Sequence, residues 1–145
     1  MTIFEELRAD HDKQRQLIKI IENTQGDEAD RRDHFSQLKV QLKQHATAEE
    51  RHFYMPLIEH DAAVEMSRHG IAEHHEMDEL LAELEDMDMA STGWLRRFKA
   101  LKDKILHHFE DEEHSFFQQA GRILDDQQKT QLGKAYRDAM TEHGL

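Results

Sequence analysis

Apolar residues recur every three or four positions along most of this chain, and no segment alternates with the period of two that marks a strand. Ile3, Leu7, Leu17, Ile18 and Ile21 form the first stripe, opened by Thr2 and Glu5 as a capping box and closed near Gln25 by Gly26. His11 and Gln14 stand in the gap between Leu7 and Leu17, where a core-facing stripe should be apolar. A second helix starts after Asp27 or Asp30, carries Phe35, Leu38, Leu42, His45, Glu49 and Phe53, and ends or kinks near Pro56. A third, from about Asp61 to Met87, carries Val64, Ile71, His74, Met77, Leu80, Leu81 and Leu84. Ser91 is the expected cap of a fourth, with Leu95, Phe98, Leu101, Ile105, His108, Glu112 and Phe116 on one face. Asp125 or Asp126 caps a shorter fifth, about 126–143, with Leu132, Tyr136 and Met140. The predicted class is all-α: an up-down-up-down four-helix bundle plus a short C-terminal helix.

The chain also repeats itself. Displaced by 63 positions, residues 1–63 fall on 64–126 with His11 on His74, Leu17 on Leu80, Ile18 on Leu81 and Glu22 on Glu85. Phe35 falls on Phe98, Leu38 on Leu101, Leu42 on Ile105, His45 on His108, Glu49 on Glu112, Glu50 on Glu113 and Phe53 on Phe116. Each half is one helical hairpin. Residues 1–145 are therefore expected to form one domain, with halves of about 1–63 and 64–126 and a C-terminal helix. Packed about a pseudo-twofold axis, the hairpins would bring the polar members of both halves into one interior.

Composition narrows the chemistry. With 19 Lys and Arg against 31 Asp and Glu, the net charge is -12. Such a surface repels phosphate backbones and anionic lipid, so neither nucleic acid nor a membrane is an expected partner. The absence of cysteine excludes disulfides, thiolate metal sites and cysteine nucleophiles. No apolar run approaches the roughly 20 residues that span a bilayer, and Met1 to Asp10 lacks the pattern of a secretory signal. A cytoplasmic location is expected. Arg96, Arg97, Lys99, Lys102 and Lys104 read as a solvated helix face. There is no glycine-rich phosphate loop, no G-x-S-x-G elbow and no H-E-x-x-H zinc motif. Twelve histidines, however, do not fit a merely acidic domain.

Their placement gives the reason. His45 and Glu49 lie four apart, as do His108 and Glu112, so each pair shares a helix face. That face is the apolar one, because His45 follows Leu38 and Leu42, and His108 follows Leu101 and Ile105. His11 lies four after Leu7, and His74 three after Ile71. Four imidazoles and two carboxylates in a bundle core cost several kcal/mol for each unpaired charge. Metal ions remove the objection, since carboxylates neutralise and bridge them while each neutral imidazole donates a lone pair. A ligand set of nitrogen and oxygen suits iron, manganese or zinc. His69, Glu50 and Glu113 are additional candidates, as further ligands or as acceptors behind the ligands. His75 and His107 lie about 100° of helix rotation from the ligand face and read as surface residues. Asp10 and Glu73 also read as surface charges, and His34, His52, His60, His114 and His143 as solvated or capping groups. Phe53, Tyr54, Phe109, Phe116 and Phe117 read as core.

The series His11, His45-x-x-x-Glu49-Glu50, Glu73-His74 and His108-x-x-x-Glu112-Glu113, with Phe53-Tyr54-x-Pro56 after the second motif, resembles hemerythrin-like HHE cation-binding domains over residues 1 to about 120. The resemblance implies a non-haem centre of two iron ions, with bridging carboxylates, terminal histidines and an oxo or hydroxo bridge. It also implies binding of dioxygen or a related small oxidant, as a carrier or sensor. An enzyme acting on peroxide, nitric oxide or ferrous iron is the alternative, and a metal-free or zinc-bound interaction module is a third. Two positions depart from the oxygen carriers of that family. Gly70 stands four before His74, where they have a histidine, and Glu112 and Glu113 follow His108 where they have an aspartate five residues on.

Overall fold

The computed structural model describes residues 1–26 and 28–145; the expected helix start at Asp27 lies outside the described residues. α1 (Ile3–Glu22) and α2 (Ala29–Glu49) form the first hairpin. α2 passes through a π-helical turn (Glu50–Tyr54) into α3 (Met55–Ile58), and a 3-10 turn (Asp61–Ala63) leads into α4 (Val64–Asp86). α4 pairs with α5 (Trp94–Asp111), which passes through a second π-helical turn (Glu112–Phe116) into α6 (Phe117–Ile123). α7 (Asp126–Glu142) closes the chain. α1, α2, α4 and α5 each touch two of the others to make the bundle, and α7 packs against α1 and α2. The all-α bundle with a C-terminal helix is therefore the observed architecture.

Local chemistry sets the helix ends. Thr2 N–H donates to Glu5 Oε1 at 3.0 Å and Glu5 N–H to Thr2 Oγ1 at 3.3 Å, which is the predicted capping box. α1 stops at Glu22, short of Gln25, because Asn23 Nδ2 donates to Lys19 O and Thr24 Oγ1 to Ile21 O, taking the last carbonyls. Of the two expected starts only Asp30 lies among the described residues, and it falls in the first turn of α2. Glu28 precedes the helix without a side-chain bond to its free N–H groups, its Oε1 accepting instead from Gln25 N–H. Ser91 does not cap α5 either. Gly93 precedes the helix, while Ser91 only offers its carbonyl to Trp94 N–H in a turn closed by Asp88. Asp125 caps α7 with Gln128 in a second capping box.

Two apolar clusters fill the bundle, and one polar layer separates them. Ile3, Leu7, Phe53, Tyr54, Phe116, Phe117 and Tyr136 lie in one cluster. Leu17, Ile21, Phe35, Leu42, Leu81, Trp94, Phe98 and Ile105 lie in the other. Between them along the helices come Asp10, His11, Gln14, His45, Glu49, Glu73, His74, His108 and Glu112, all buried. The first stripe's gap is thus the height at which α1 crosses this layer.

At the far end, buried Arg31 donates from Nε to Thr24 Oγ1 and from Nη2 to Thr24 O, both at 2.9 Å. Its Nη1 reaches Met89 O, and its guanidinium lies 5.0 Å over the Trp94 ring. Arg31 and Trp94 are related by the 63-residue repeat, so they meet near its axis. At the near end, Gly133 lets α7 approach the chain start. A Cβ there would lie 2.6 Å from Met1 O and 2.7 Å from Ile3 N. No helix of the described residues is long and apolar enough to cross a membrane.

Candidate metal centre

Each half of the repeat delivers two imidazoles and one carboxylate to the polar layer. His11 comes from α1, His45 and Glu49 from α2, His74 from α4, His108 from α5, and Glu112 from the turn after it. A π-helical turn follows Glu49 in one half and begins at Glu112 in the other. Pro56 is not its cause, because Gln119 holds the matching position in the second half. Such turns insert an extra residue into a helix and recur at functional sites.

The four imidazoles are oriented alike. His11 Nε2 lies 3.1 Å from Glu112 Oε1, and His74 Nε2 lies 3.0 Å from Glu49 Oε1. His45 Nε2 is 3.7 Å from Glu49 Oε1, and His108 Nε2 is 3.3 Å from Glu112 Oε1. Every Nε2 faces inward, and every Nδ1 faces a polar group behind it. Behind His74 is Glu50 at 2.8 Å, and behind His108 is Glu73 at 2.9 Å. Behind His11 is Glu113 at 3.6 Å. Behind His45 is the Tyr136 hydroxyl, which accepts at 2.6 Å and itself donates to Asp10. At His45, His74 and His108 an acceptor within hydrogen-bond reach of Nδ1 fixes the tautomer that leaves an Nε2 lone pair free, whereas Glu113 lies beyond that reach of His11 Nδ1. The His11 ring is also stacked on Phe109, with centroids 3.9 Å apart.

All four Nε2 atoms, both oxygens of Glu49 and Oε1 of Glu112 are buried without a hydrogen-bond partner. Seven lone-pair atoms facing one another cannot satisfy each other; a cation satisfies them all. They fall into two sets of four side chains, His11, His45, Glu49 and Glu112, and Glu49, His74, His108 and Glu112. Within each set the ligand atoms lie within 4.8 Å of one another, and both sets share the two carboxylates.

Without a cation, protons take its place. Burial pushes the Glu49 carboxyl up, and the charge of Glu112 pushes it further. Burial opposes ionisation of Glu112 too, but His108, Glu49 and His11 outweigh it and hold that carboxyl well below the usual range. Burial works against charge on His74, yet the adjacent carboxylates of Glu49 and Glu50 raise it to about 9. His45, whose outer partner is a phenol, is driven well below its ordinary value by burial and by His11.

The additional candidates stand apart from the centre. Glu50 and Glu113 meet the outer nitrogens of His74 and His11, across the two halves. His69 does not enter the layer; its side chain is 55% exposed, on the outer face of α4. Tyr54 stands where a side chain at position 70 would go, since a Cβ on Gly70 would lie 2.3 Å from its ring and hydroxyl. Its hydroxyl donates to Glu112 Oε2. His75 and His107 are exposed, as expected.

Asp10 and Glu73, in contrast, are buried rather than surface charges: Glu73 meets the outer nitrogen of His108 directly, and Asp10 accepts from the Tyr136 hydroxyl that meets His45. The repeat carried the signal: an acid precedes the first histidine in both halves. Tyr54 and Tyr136 carried none, since their repeat partners are Phe117 and a position beyond the first half.

A model of the hemerythrin HHE cation-binding domain matches residues 2–120. The solved structure of a hemerythrin HHE cation-binding domain-containing protein from Mycobacterium kansasii superposes with a TM-score of 0.89 at 20% identity, covering 98% of this chain and 86% of that one. No curated protein matches the chain. With the family pattern extending over four helices, and a buried His and Glu cluster where those helices converge, this chain belongs to the hemerythrin HHE cation-binding domain family.

Proposed function

We propose that the buried cluster holds two iron ions and that the protein binds a small oxidant there, dioxygen or a close relative, as a carrier or sensor. The convergence of seven unpartnered lone-pair atoms in two sets sharing Glu49 and Glu112 supports this reading. Four imidazoles and two shared carboxylates would supply about four bonds to each of two ions, where iron takes roughly five or six, so solvent or a small oxidant would complete the count. Bound iron supplies the reversible electron transfer that oxidant chemistry needs. The chain's own groups hold the imidazole tautomers, exclude bulk water with Phe109 and Phe117, and keep a proton on Tyr54 beside Glu112.

Tyr54 also favours a second reading, reduction of peroxide or nitric oxide. The space over Gly70 holds a proton-bearing phenol, and His69 faces away, so no fifth histidine makes the two ions unequal. Loading the chain anaerobically with ferrous iron, then admitting air and afterwards peroxide, tests both. About two iron per chain and a new visible band with air support the binding reading. Rapid peroxide turnover, slowed in Tyr54→Phe at unchanged iron content, transfers support to the enzyme. A reproducible content of one ion, or zinc alone, overturns the di-iron assignment.

A further inference from the structure

Outside the buried layer, His69, Glu73 and Asp111 form a third group whose ligand atoms lie within 4.8 Å of one another. His69 Nε2 stands 3.4 Å from Glu73 Oε1 and 3.7 Å from Asp111 Oδ2. Both separations are long for hydrogen bonds. They match the spacing of donors around a four-coordinate ion, roughly 3.3–3.6 Å for metal–ligand bonds near 2.1 Å. His107 Nε2 reaches the same Asp111 oxygen at 3.2 Å. One imidazole and two carboxylates on the adjoining faces of α4 and α5 thus converge from positions 69, 73 and 111, while His107, one helical turn before Asp111, reaches Asp111 from the rim. Glu73 is oriented in advance, because its Oε1 accepts from His108 Nδ1 at 2.9 Å.

The other half of the repeat shows what such a place takes. Positions 69 and 73 correspond to Glu6 and Asp10. There Arg137 from α7 donates from Nε to Glu6 Oε2 at 2.5 Å and lies 3.1 Å, through Nη2, from Asp10 Oδ1. A fixed organic cation occupies that spot. α7 packs on the α1 and α2 side of the bundle, so Arg137 does not reach the second spot. Lys104 lies 4.0 Å from Glu73 Oε2 but is engaged by Glu76. A histidine, which can ligate metal, stands at position 69 where the first half has Glu6.

We propose that His69, Glu73 and Asp111, with His107 at the rim, bind one divalent transition-metal ion at the surface, in the place that Arg137 fills in the other half. The donor set of imidazole and carboxylate selects zinc, cobalt or ferrous ions over calcium or magnesium. This ion is separate from those of the buried centre.

The test uses the full chain after its buried centre has been loaded and its metal content counted. Co²⁺ is titrated while calorimetry, the visible spectrum and the proton signals of His69 and His107 are followed. The expected result is one further Co²⁺ per chain, with broadening of both signals, displaced by Zn²⁺ but not by Mg²⁺. His69→Ala and Asp111→Asn should each weaken it at least roughly tenfold. His75→Ala is the control, because His75 pairs with exposed Glu79 at 3.2 Å in an ordinary i,i+4 contact. Binding equal in His69→Ala and wild type, or lost equally in His75→Ala, overturns the proposal. If the buried centre retains no metal, the same titration still counts the outer ion as the step that His69→Ala removes and Glu49→Gln spares. Failure of one site is thereby distinguished from failure of the other.

Discussion

His45 differs from the other three imidazoles in what holds its outer nitrogen. Three have a carboxylate behind them, while His45 has the Tyr136 hydroxyl with Asp10 beyond it. Asp10 matches Glu73 in the repeat but is one methylene shorter, and the phenol spans the difference. A neutral acceptor makes His45 a weaker donor to metal than His108 with its direct carboxylate. Tyr136→Phe leaves His45 Nδ1–H and Asp10 buried without that partner. It should cost about 1–3 kcal/mol in stability and lower metal affinity roughly 10–100-fold. Urea denaturation and a chelator competition read the two effects. Unchanged values in both would mean that the hydroxyl supports neither His45 nor Asp10.

At the scale of elements, the repeat is followed closely by the four bundle helices and departed from by α7. That helix brings Tyr136 to His45 and Arg137 to Glu6 and Asp10, and its approach depends on Gly133. In an exposed helix, Gly→Ala would gain about 1 kcal/mol. At position 133 the added Cβ meets backbone of Met1 to Ile3, which cannot rotate away as a side chain would. Gly133→Ala should therefore destabilise the chain by about 1–3 kcal/mol and loosen the metal, through displacement of Tyr136. A melting curve at or above wild type would show that α7 shifts without cost. The two π-helical turns recur in both halves, within one residue of the repeat register, and periodicity alone gave no sign of them. An apolar pattern at threes and fours continues through an extra residue, whereas the ligands beside it fix where that residue must go.

For the whole molecule, the polar layer makes stability depend on pH and metal together. In the metal-free chain His74 rises from its ordinary 6.5 to about 9. Its contribution to stability is fully present below pH 6.5 and is lost as the pH rises through about 9. Burial likewise favours the protonated form of Glu49. Bound metal replaces these protons, so the loaded chain escapes that loss. The difference in melting temperature between loaded and metal-free protein should widen from pH 6.5 to 9. A difference constant over that range would mean that His74 carries no proton when metal is absent. At the acid end the sign reverses. Burial opposes charge on Glu113, but His11 and Arg15 bring its carboxyl down to about 2, so its contribution is present above pH 4.5 and fades as the pH falls through about 2.

The helical class, the two hairpins and the six side chains that converge on the centre follow from the sequence alone, because spacing along a helix decides which residues share a face and the repeat superimposes the two halves. Helix ends were less legible where short polar side chains such as Asn23 and Thr24 compete for the same carbonyls. What stands behind the imidazoles was decided only by tertiary structure. Asp10 and Glu73 look like surface charges in sequence, one residue away from a ligand, until a neighbouring helix supplies the ring that each supports. Tyr54 reaches Glu112 across 58 positions, and Tyr136 reaches His45 across 91. Periodicity reports the face of one helix; it holds no information about which distant hydroxyl fills the space that Gly70 leaves open.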